Sequence, residues 1–283
     1  MRKKPFNQRP KKKSAPKPQK SDKKAVPAYD LQKIKAVEKK VDGEVKSALD
    51  GIRLNKYLAN SGICSRREAD QLIAEGKVKV NKNVVKEMGY KVMPTDTVYF
   101  EGQPVKREKL VYVLLNKPKG FITTMDDPKD RKTVMELVKK ACDERIYPVG
   151  RLDRNTTGLL LFTNDGELAK KLTHPSHKVR KIYQAQLDKP ITEEDFLSIE
   201  AGIELEDGSA KVEKIAILTP DAMKIGLEIS MGRNRIVRRI FEHLGYEVVK
   251  LDRTVFAGLT KKDLPRGKWK YLSEKEVIRL KHF

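Results

Sequence analysis

The stretch of sequence that decides the fold is Gly150-Arg151-Leu152-Asp153-Arg154-Asn155-Thr156-Thr157-Gly158-Leu159-Leu160-Leu161-Phe162-Thr163-Asn164-Asp165-Gly166-Glu167. Within it, residues 159–162 form a short apolar run between a glycine and an Asn-Asp-Gly turn, which predicts a buried strand. Asp153 then lies on the loop that leads into this strand, and a loop beside a rigid strand is a good support for a reactive carboxylate. The residues alone leave a second interpretation open, in which Asp153 forms a structural pair with Arg151 or Arg154.

The same stretch contains a longer pattern, Gly-Arg-Leu-Asp-x-x-Thr-x-Gly-Leu-Leu-Leu-x-Thr-Asn-Asp-Gly, which runs from Gly150 to Gly166. This pattern resembles the catalytic motif of the RNA pseudouridine synthases related to the ribosomal small-subunit uridine enzyme. The resemblance implies that Asp153 is the catalytic carboxylate and that Arg151 and Leu152 belong to the substrate pocket. Asp165, which precedes a predicted helix, is interpreted as a turn or N-cap residue.

The charge of the chain points to a polyanionic partner. Its 283 residues carry a formal net charge of +22, which favours nucleic acid first and an anionic membrane second. No apolar run approaches the roughly 20 residues that a membrane-spanning helix needs, and the N-terminus lacks the apolar core of a secretory signal. With only Cys64 and Cys142 in the chain, a disulfide framework is not expected. These features predict a cytoplasmic protein without a membrane partner.

Residues 1–50 are predicted to form a disordered basic arm. This region holds 16 Lys and Arg against 6 Asp and Glu, is interrupted by five prolines and has few apolar residues. Such a segment cannot bury enough surface to offset the entropy lost on ordering. The charge favours loose attraction to phosphates. A solubilising tail with no specific partner is the alternative.

Residues 51–107 predict a small α/β domain that binds RNA. Ser65-Arg66-Arg67-Glu68 has the sequence of a capping box that opens a helix, where free N–H groups also favour anions. The patterns Arg-Leu-Asn-Lys-Tyr-Leu-Ala (53–59), Ser-Arg-Arg-Glu-Ala (65–69) and Lys-Val-Lys-Val-Asn (77–81) resemble the S4 RNA-binding module. The resemblance implies an RNA-binding set of Arg53, Lys56, Arg66, Arg67, Lys77 and Lys79. Ordinary solvated charges are the alternative interpretation.

Residues 108–283 predict the domain that carries the chemistry. Strand candidates lie at 111–115, 159–162, 181–187, 211–218 and 224–230, and helix candidates at 133–142, 167–173 and 233–244. Because strands and helices do not alternate regularly, we expect an α+β domain with a mainly antiparallel mixed sheet.

The helix predicted over 233–244 separates apolar from charged residues. Its core face comprises Ile236, Val237, Ile240 and Leu244, and its opposite face comprises Arg235, Arg238, Arg239 and Glu242. A plain pairing of Arg238 with Glu242 at i, i+4 is one interpretation. The string Gly-Arg-Asn-Arg-Ile-Val-Arg-Arg (232–239), however, is similar to the family motif whose arginine pairs with the catalytic aspartate. That similarity implies that Arg238 is the partner of Asp153 and keeps it charged.

Two further residues acquire roles from the resemblance. Tyr183, in Lys-Ile-Tyr, matches the active-site tyrosine that packs on the target base, although a tyrosine in a half-buried strand is usually a core residue. Leu251 matches the apolar pocket residue. The implied catalytic set is therefore Asp153, Arg238 and Tyr183.

The implied reaction converts a uridine in RNA to pseudouridine, and the target base must leave its stack to reach Asp153. The resemblance implies no cofactor, metal or ATP. The sequence agrees, since it contains neither a Gly-x-x-x-x-Gly-Lys-Ser/Thr nor a Gly-x-Gly-x-x-Gly motif. His174 and His177 flank a proline that would break an aligning helix, so no zinc site is predicted.

Residues 234–239 and Asp-Leu-Pro-Arg-Gly-Lys-Trp (263–269) look most like the large-subunit rRNA subgroup of the family. The implied partner is 23S ribosomal RNA, free or in an assembling subunit, and the implied enzyme is a monomer. The alternative is a non-catalytic S4-type RNA-binding protein of ribosome assembly that keeps the fold.

Overall fold

The computed structural model describes Pro27, Tyr29, Asp30 and residues 51–282. The predicted basic arm therefore lies outside the described residues, apart from three positions. One of these makes a contact that the sequence did not suggest: the Tyr29 hydroxyl donates to Leu272 O at 3.0 Å, and its ring packs edge-on against Tyr112. Across the described chain, no helix is both long enough and apolar enough to cross a membrane.

The first unit packs two short helices against short strands. Its elements are β1 (Ile52–Arg53), α1 (Leu54–Ala59), α2 (Arg66–Ala74), β2 (Val78–Val80), β3 (Asn83–Val84), β4 (Lys91–Val92), β5 (Val98–Phe100) and β6 (Gln103–Pro104). Helix α2 opens with the predicted capping box: the Glu68 amide donates to Ser65 Oγ at 3.2 Å, and the Ser65 amide donates to the Glu68 carboxylate at 2.6 Å. Leu58, Ala69 and Val78 lie in its separate apolar core.

The second unit is built on one large sheet. Its elements are β7 (Tyr112–Lys117), α3 (Val134–Val138), β8 (Tyr147–Pro148), β9 (Thr156–Thr163), α4 (Gly166–Thr173), β10 (Lys181–Leu187), α5 (Glu193–Ala201), β11 (Ile203–Leu205), β12 (Gly208–Ala210), β13 (Lys214–Ile217), β14 (Lys224–Ile229), α6 (Ile236–His243), β15 (Val248–Phe256), β16 (Leu259–Thr260), β17 (Trp269–Tyr271) and α7 (Glu274–Lys281). A 3₁₀ turn, Pro175–His177, follows α4.

The main path of this sheet has the order β13-β14-β10-β15-β9-β7-β17. Strands β15 and β9 run parallel, and the other neighbours along this path run antiparallel. The predicted mixed, mainly antiparallel sheet is therefore confirmed.

The apolar run that decided the fold lies at the centre of the sheet. Residues 159–162 belong to β9 and are each 0% exposed, which confirms the predicted buried strand. Alternate residues of β9 face opposite sides: Leu159 and Leu161 pack with α4 and α7, whereas Leu160 and Phe162 pack with α3. A strand that is covered on both faces has a continuous apolar sequence.

Gly158 allows β9 to lie close to β15 at the point where the two strands run parallel. Its φ is +112°, and a Cβ at this position would collide with the backbone of Arg253. Only glycine meets both conditions without strain. The start of β9, which follows the Asp153 loop, is therefore held against β15.

Two predicted helices are shorter than expected, and several elements were not predicted. The helix expected over 233–244 begins at Ile236, because Arg235 takes the left-handed conformation with φ 45° as its N-cap. The helix expected over 133–142 covers Val134–Val138. Helices α5 and α7 and the β11–β12 hairpin had no counterpart in the sequence interpretation.

The two units meet at the ends of β7 and β9. The Glu108 amide donates to Asn60 O at 3.4 Å, and the Glu108 carboxylate accepts from the Arg145 amide at 3.2 Å. Arg145 Nη1 also donates to Cys64 O at 3.1 Å. This contact lies near Thr163, whereas Asp153 precedes the opposite end of β9 at Thr156.

Candidate active site

Asp153 lies on the loop between β8 and β9 and lines a cavity of about 170 Å³. The same cavity is lined by four of the other residues predicted for the substrate site: Arg151, Leu152, Tyr183 and Leu251. Arg151 is exposed and Asp153 is half-buried, whereas Leu152 and Leu251 are buried. The structure therefore brings five of the six predicted catalytic and pocket residues to one place.

Strand register explains how residues distant in sequence meet there. Leu251 of β15 stands opposite Thr156 at the start of β9, and Arg253 stands opposite Tyr183 of β10. Residues two apart on a strand face the same side of the sheet. Leu251 and Arg253 therefore share one face of β15, next to the loop that carries Asp153.

Five cations line the cavity around Asp153: Arg151, Lys181, Arg233, Arg235 and Arg253. Asp153 is the one carboxylate among the described residues that line it. A concave surface with one sign of charge concentrates counter-ions of the other sign. This cavity therefore suits a ligand with a phosphate backbone.

Only Arg151 of these cations was predicted as a site residue. Arg235 was named on the charged face of its helix, and Lys181, Arg253 and Arg233 were given no role. Lys181 Nζ donates to Val179 O at 2.8 Å and to Ser230 O at 2.6 Å. Burial lowers the pKa of Lys181 to about 8, with Arg253 adding to the decrease and Glu213 opposing it. Arg253 is buried and donates through Nε to Leu159 O at 2.8 Å.

Arg233, the third, connects the cavity to the β11–β12 hairpin. Its Nη1 donates to the Asp207 carboxylate at 3.0 Å and to Gly208 O at 2.8 Å. Arg239 also holds Asp207, and its hydrogen bond lowers the pKa of this carboxyl to about 2. In a chain with 61 Lys and Arg, nothing in the sequence around positions 233 and 235 distinguishes Arg233 from the other basic residues.

Arg238 requires two corrections. The sequence placed it on the charged face of its helix, but it is only 9% exposed. Its Nη1 donates to Val248 O at 2.5 Å, because the helix packs against the start of β15. The i, i+4 pair with Glu242 is not formed, since Glu242 pairs with Arg235 at 2.9 Å.

The predicted direct pair between Arg238 and Asp153 is also not formed. Among the described residues, no ion pair within 4 Å joins Asp153 to an arginine, and Arg238 does not line the cavity. Burial lowers the pKa of Arg238, and the Arg235 charge lowers it further, whereas the Asp153 carboxylate acts in the opposite direction. Arg238 and Asp153 are therefore close enough for their charges to interact, although no direct ion pair joins them.

Lys117 supports the backbone of the Asp153 loop from inside the protein. It ends β7, is 0% exposed, and donates through Nζ to Asp153 O at 3.0 Å and Thr156 O at 2.8 Å. Burial lowers its pKa to about 8, and the Asp153 charge partly opposes this decrease. The strand predicted at 111–115 ended before Lys117, so the sequence interpretation assigned this residue no role. A lysine two residues after the apolar run 111–115 was the available signal.

The predicted RNA-binding residues of the first unit differ in their partners. Five of the six are exposed: Arg53, Arg66, Arg67, Lys77 and Lys79. Lys56 instead pairs with Glu167 of α4 across the two units. Lys77 pairs with Glu75 at 2.7 Å. Arg66 and Arg67 lie side by side, both exposed, in the first turn of α2.

Asp165 has the predicted N-cap role, since it accepts a hydrogen bond from Leu168 N at 3.1 Å. It is also buried and accepts from the Tyr112 hydroxyl at 2.8 Å. His174 and His177 lie at the 3₁₀ turn. Within the described residues, no group of three or more His, Cys, Asp or Glu side chains is placed to hold a metal ion.

Comparison with known proteins gives consistent matches over both units. The family model described as RNA pseudouridylate synthase matches residues 111–243, and the S4 domain model matches residues 52–98. The ribosomal large subunit pseudouridine synthase B of Bacillus subtilis (strain 168) is 46% identical over 233 residues, which cover 81% of this chain and 95% of that protein.

The dual-specificity RNA pseudouridine synthase RluF of Escherichia coli (strain K12) is 39% identical over 232 residues, or 81% of this chain and 78% of that protein. Among solved structures, a pseudouridylate synthase crystal structure aligns with a TM-score of 0.57 at 30% identity. That alignment covers 81% of this chain and 99% of the other.

Proposed function

The chain belongs to the RNA pseudouridine synthase family, and we propose that it converts a specific uridine of 23S ribosomal RNA to pseudouridine with Asp153 as its catalytic carboxylate. It is an rRNA pseudouridine synthase that combines an S4 domain with the family's catalytic fold. We further propose that residues 51–107 form the S4-like domain and residues 108–283 the catalytic domain. We also propose that the protein is a monomer and is located in the cytoplasm.

One observation carries this assignment of the site. Asp153, Tyr183 and Leu251 come from three separate parts of the chain and line one cavity, in which Asp153 is surrounded by cations. An uncharged base needs an apolar wall, and the RNA that carries it needs positive charge. A non-catalytic assembly protein would require RNA affinity but no carboxylate in such a cavity, so that alternative is not favoured.

The reaction is an isomerisation in which the atoms balance without a co-reactant. The N1–C1′ bond of the target uridine breaks, the uracil turns within the cavity, and C5 bonds to C1′. The C5 proton is lost and N1 gains one. Asp153 acts on the nucleotide as an ionised carboxylate, while Tyr183 and Leu251 pack against the flipped base. Paired carboxylates of the glycosidase type are not needed, because the base recaptures the sugar in place of water.

The proposal is tested with the purified protein and 23S rRNA labelled with 5-³H-uridine. Formation of the C5–C1′ bond displaces the tritium from C5, so release into water reports the reaction. We expect release at one site per RNA molecule. Absence of release from 23S rRNA, both protein-free and in subunit precursors, would contradict the proposed substrate.

The S4-like domain should contribute binding and not chemistry. We expect Arg66→Ala/Arg67→Ala to raise KM for RNA far more than it lowers kcat, because contacts to the backbone position RNA without touching the reacting base. Lys139→Ala/Lys140→Ala removes the same charge from two exposed lysines beside α3 and serves as the control. A kcat defect with unchanged RNA affinity would place Arg66 and Arg67 near the chemistry instead.

Alkaline pH should have opposite effects on activity and stability because of Lys117, which is buried, and Lys181, which is half-buried. Lys117 and Lys181 have pKa values lowered to about 8 from 10.5, so both lose their protons as pH rises through about 8. The single-turnover rate should then fall, because charge-assisted hydrogen bonds to the carbonyls around the site weaken.

Folding stability should change in the other direction. Between about pH 8 and the ordinary lysine value of 10.5, the unfolded chain binds more protons than the folded one, so these lysines make unfolding less favourable as pH rises. Rates and urea unfolding measured from pH 7 to 10 check both signs. A rate that stays constant to pH 9.5 would show that the protonated lysines do not support the site.

A further inference from the structure

The backbone on either side of Asp153 is fixed to the end of β7 and to the segment that follows it. On the C-terminal side, Lys117 Nζ donates to the Asp153 carbonyl, and the Gly120 amide donates to Arg154 O at 2.9 Å. On the N-terminal side, Thr123 Oγ1 donates to Leu152 O at 2.7 Å, and Leu152 N donates back to the same Oγ1 at 3.2 Å. One hydroxyl thus satisfies both polar groups of Leu152.

Thr123 is itself held by its neighbours in the chain. The Ile122 amide donates to Lys132 O at 3.0 Å, and the Val134 amide donates to Ile122 O at 2.9 Å, so a β-bridge closes the base of the loop 123–132. Thr123 is the first residue inside that closed loop. Its hydroxyl is therefore anchored, and Leu152 is held to a fixed point.

We propose that Thr123 is a positioning residue of the pseudouridine synthase reaction, acting through Leu152 to hold the Asp153 carboxylate in its reactive orientation. The proposal rests on the proposed function of Asp153. Rotation about the bonds of Leu152 would move the next side chain, and a catalytic group must be held within about 0.5 Å of its productive position. Thr123 is not among the residues that line the cavity with Tyr183 and Leu251, so the proposal assigns it no contact with the base.

The matched test uses two adjacent threonines. Thr123→Val keeps the β-branched shape but loses the hydroxyl, and Thr123→Ser restores the hydroxyl. Thr124→Val is the control, because Thr124 Oγ1 donates to Asp126 O at 2.6 Å and no hydrogen bond joins this hydroxyl to the Asp153 loop. Single-turnover tritium release at saturating RNA, RNA affinity and melting temperature are measured for each variant.

We expect Thr123→Val to lower the single-turnover rate by about 10- to 100-fold, since a displacement near 1 Å can cost that much. RNA affinity should stay within about twofold, and Thr123→Ser should recover most of the rate. Thr124→Val should react at the wild-type rate. A Thr123→Val protein that reacts like Thr124→Val, or whose loss equals its unfolded fraction at the assay temperature, would overturn the proposal.

Amide hydrogen exchange separates this proposal from the proposed function. The Leu152 amide, which donates to Thr123 Oγ1, should exchange faster in Thr123→Val than in wild type, whether or not the protein turns over RNA. Unchanged exchange would show that Thr123 does not hold the loop. A wild-type protein that releases no tritium would contradict the proposed function. The exchange experiment would still decide whether Thr123 holds Leu152 in place.

Discussion

Replacement of Asp153 by Asn should lower pseudouridine formation by roughly a thousandfold or more, which corresponds to about 4 kcal/mol of lost transition-state stabilisation. Asn keeps the size and shape of the side chain but removes the one negative charge among the described residues that line the cavity. The backbone bonds from Lys117 and Thr123 go to main-chain atoms of the loop, so they are retained. Folding and RNA binding should therefore stay near wild type.

A structural role for Asp153 makes a different prediction. No ion pair joins Asp153 to Arg151 or Arg154, so a purely structural Asp153 would contribute only as a weakly interacting charge. The substitution would then cost about 1 kcal/mol of stability or less and leave turnover intact. Asp126→Asn, in an exposed position of the loop 123–132, controls for loss of negative charge near the site. Tritium release measures the reaction and melting temperature measures the fold. A well-folded Asp153→Asn protein that reacts at the wild-type rate would contradict the enzymatic role of this residue.

Arg238→Met should lower kcat by about 100-fold, or about 2.7 kcal/mol, with little change in RNA affinity. Methionine retains much of the buried volume but removes the positive field behind Asp153. Because burial lowers the pKa of Arg238, its charged form is disfavoured in the folded protein, and removing it relieves that cost. Loss of the bond to Val248 O acts in the other direction. We therefore expect a small net change in stability beside a large change in rate.

Two companion variants distinguish the electrostatic role from a packing role. Arg238→Lys keeps the charge but not the planar fork, so it should recover part of the rate. Arg239→Met removes the neighbouring arginine, which bonds to Asp207 outside the cavity, and should leave kcat near wild type. If Arg238→Lys were no better than Arg238→Met, or if the rate loss followed the loss of stability, Arg238 would be a structural residue.

The sequence predicted the central strand because that strand is covered on both faces. Burial on both sides produces the uninterrupted run 159–162, and a run bounded by turn residues has few other interpretations. The capping box at Ser65 and the N-cap at Asp165 could also be predicted, because each uses a side chain close in sequence to the amide that it binds. Local chemistry of this kind is visible in the residues alone.

The positions of side chains whose partners are distant in the sequence could not be predicted in the same way. Arg238 occupies a position that a helical projection assigns to solvent, and only the packing of α6 against β15 buries it. Lys117 was assigned no role from the sequence, because only the fold brings the Asp153 loop around its ammonium group. Lys56 was expected to face RNA, but the contact between the two units gives it Glu167 as a partner. In each case the decisive neighbour is far away in the chain.

The resemblance to a known family supplied what the physical pattern could not. Periodicity alone treats Tyr183 as an ordinary core residue, and the structure shows that it lines the cavity with Asp153. Arg253 and Lys181 line the same cavity, yet no periodic or spacing argument distinguishes them from the other basic residues of a chain with 61 Lys and Arg. The strands explain their placement: Arg253 stands opposite Tyr183, and Lys181 lies two residues before Tyr183 on β10.

The most direct test of the central claim is a map of pseudouridines in ribosomal RNA from three strains. One strain lacks this protein, one produces the wild-type chain and one produces Asp153→Asn at the same level. We expect a pseudouridine in 23S rRNA to be missing without the protein, restored by the wild-type chain and still missing with Asp153→Asn. Identical maps in all three strains would contradict the claim that this chain modifies ribosomal RNA through Asp153.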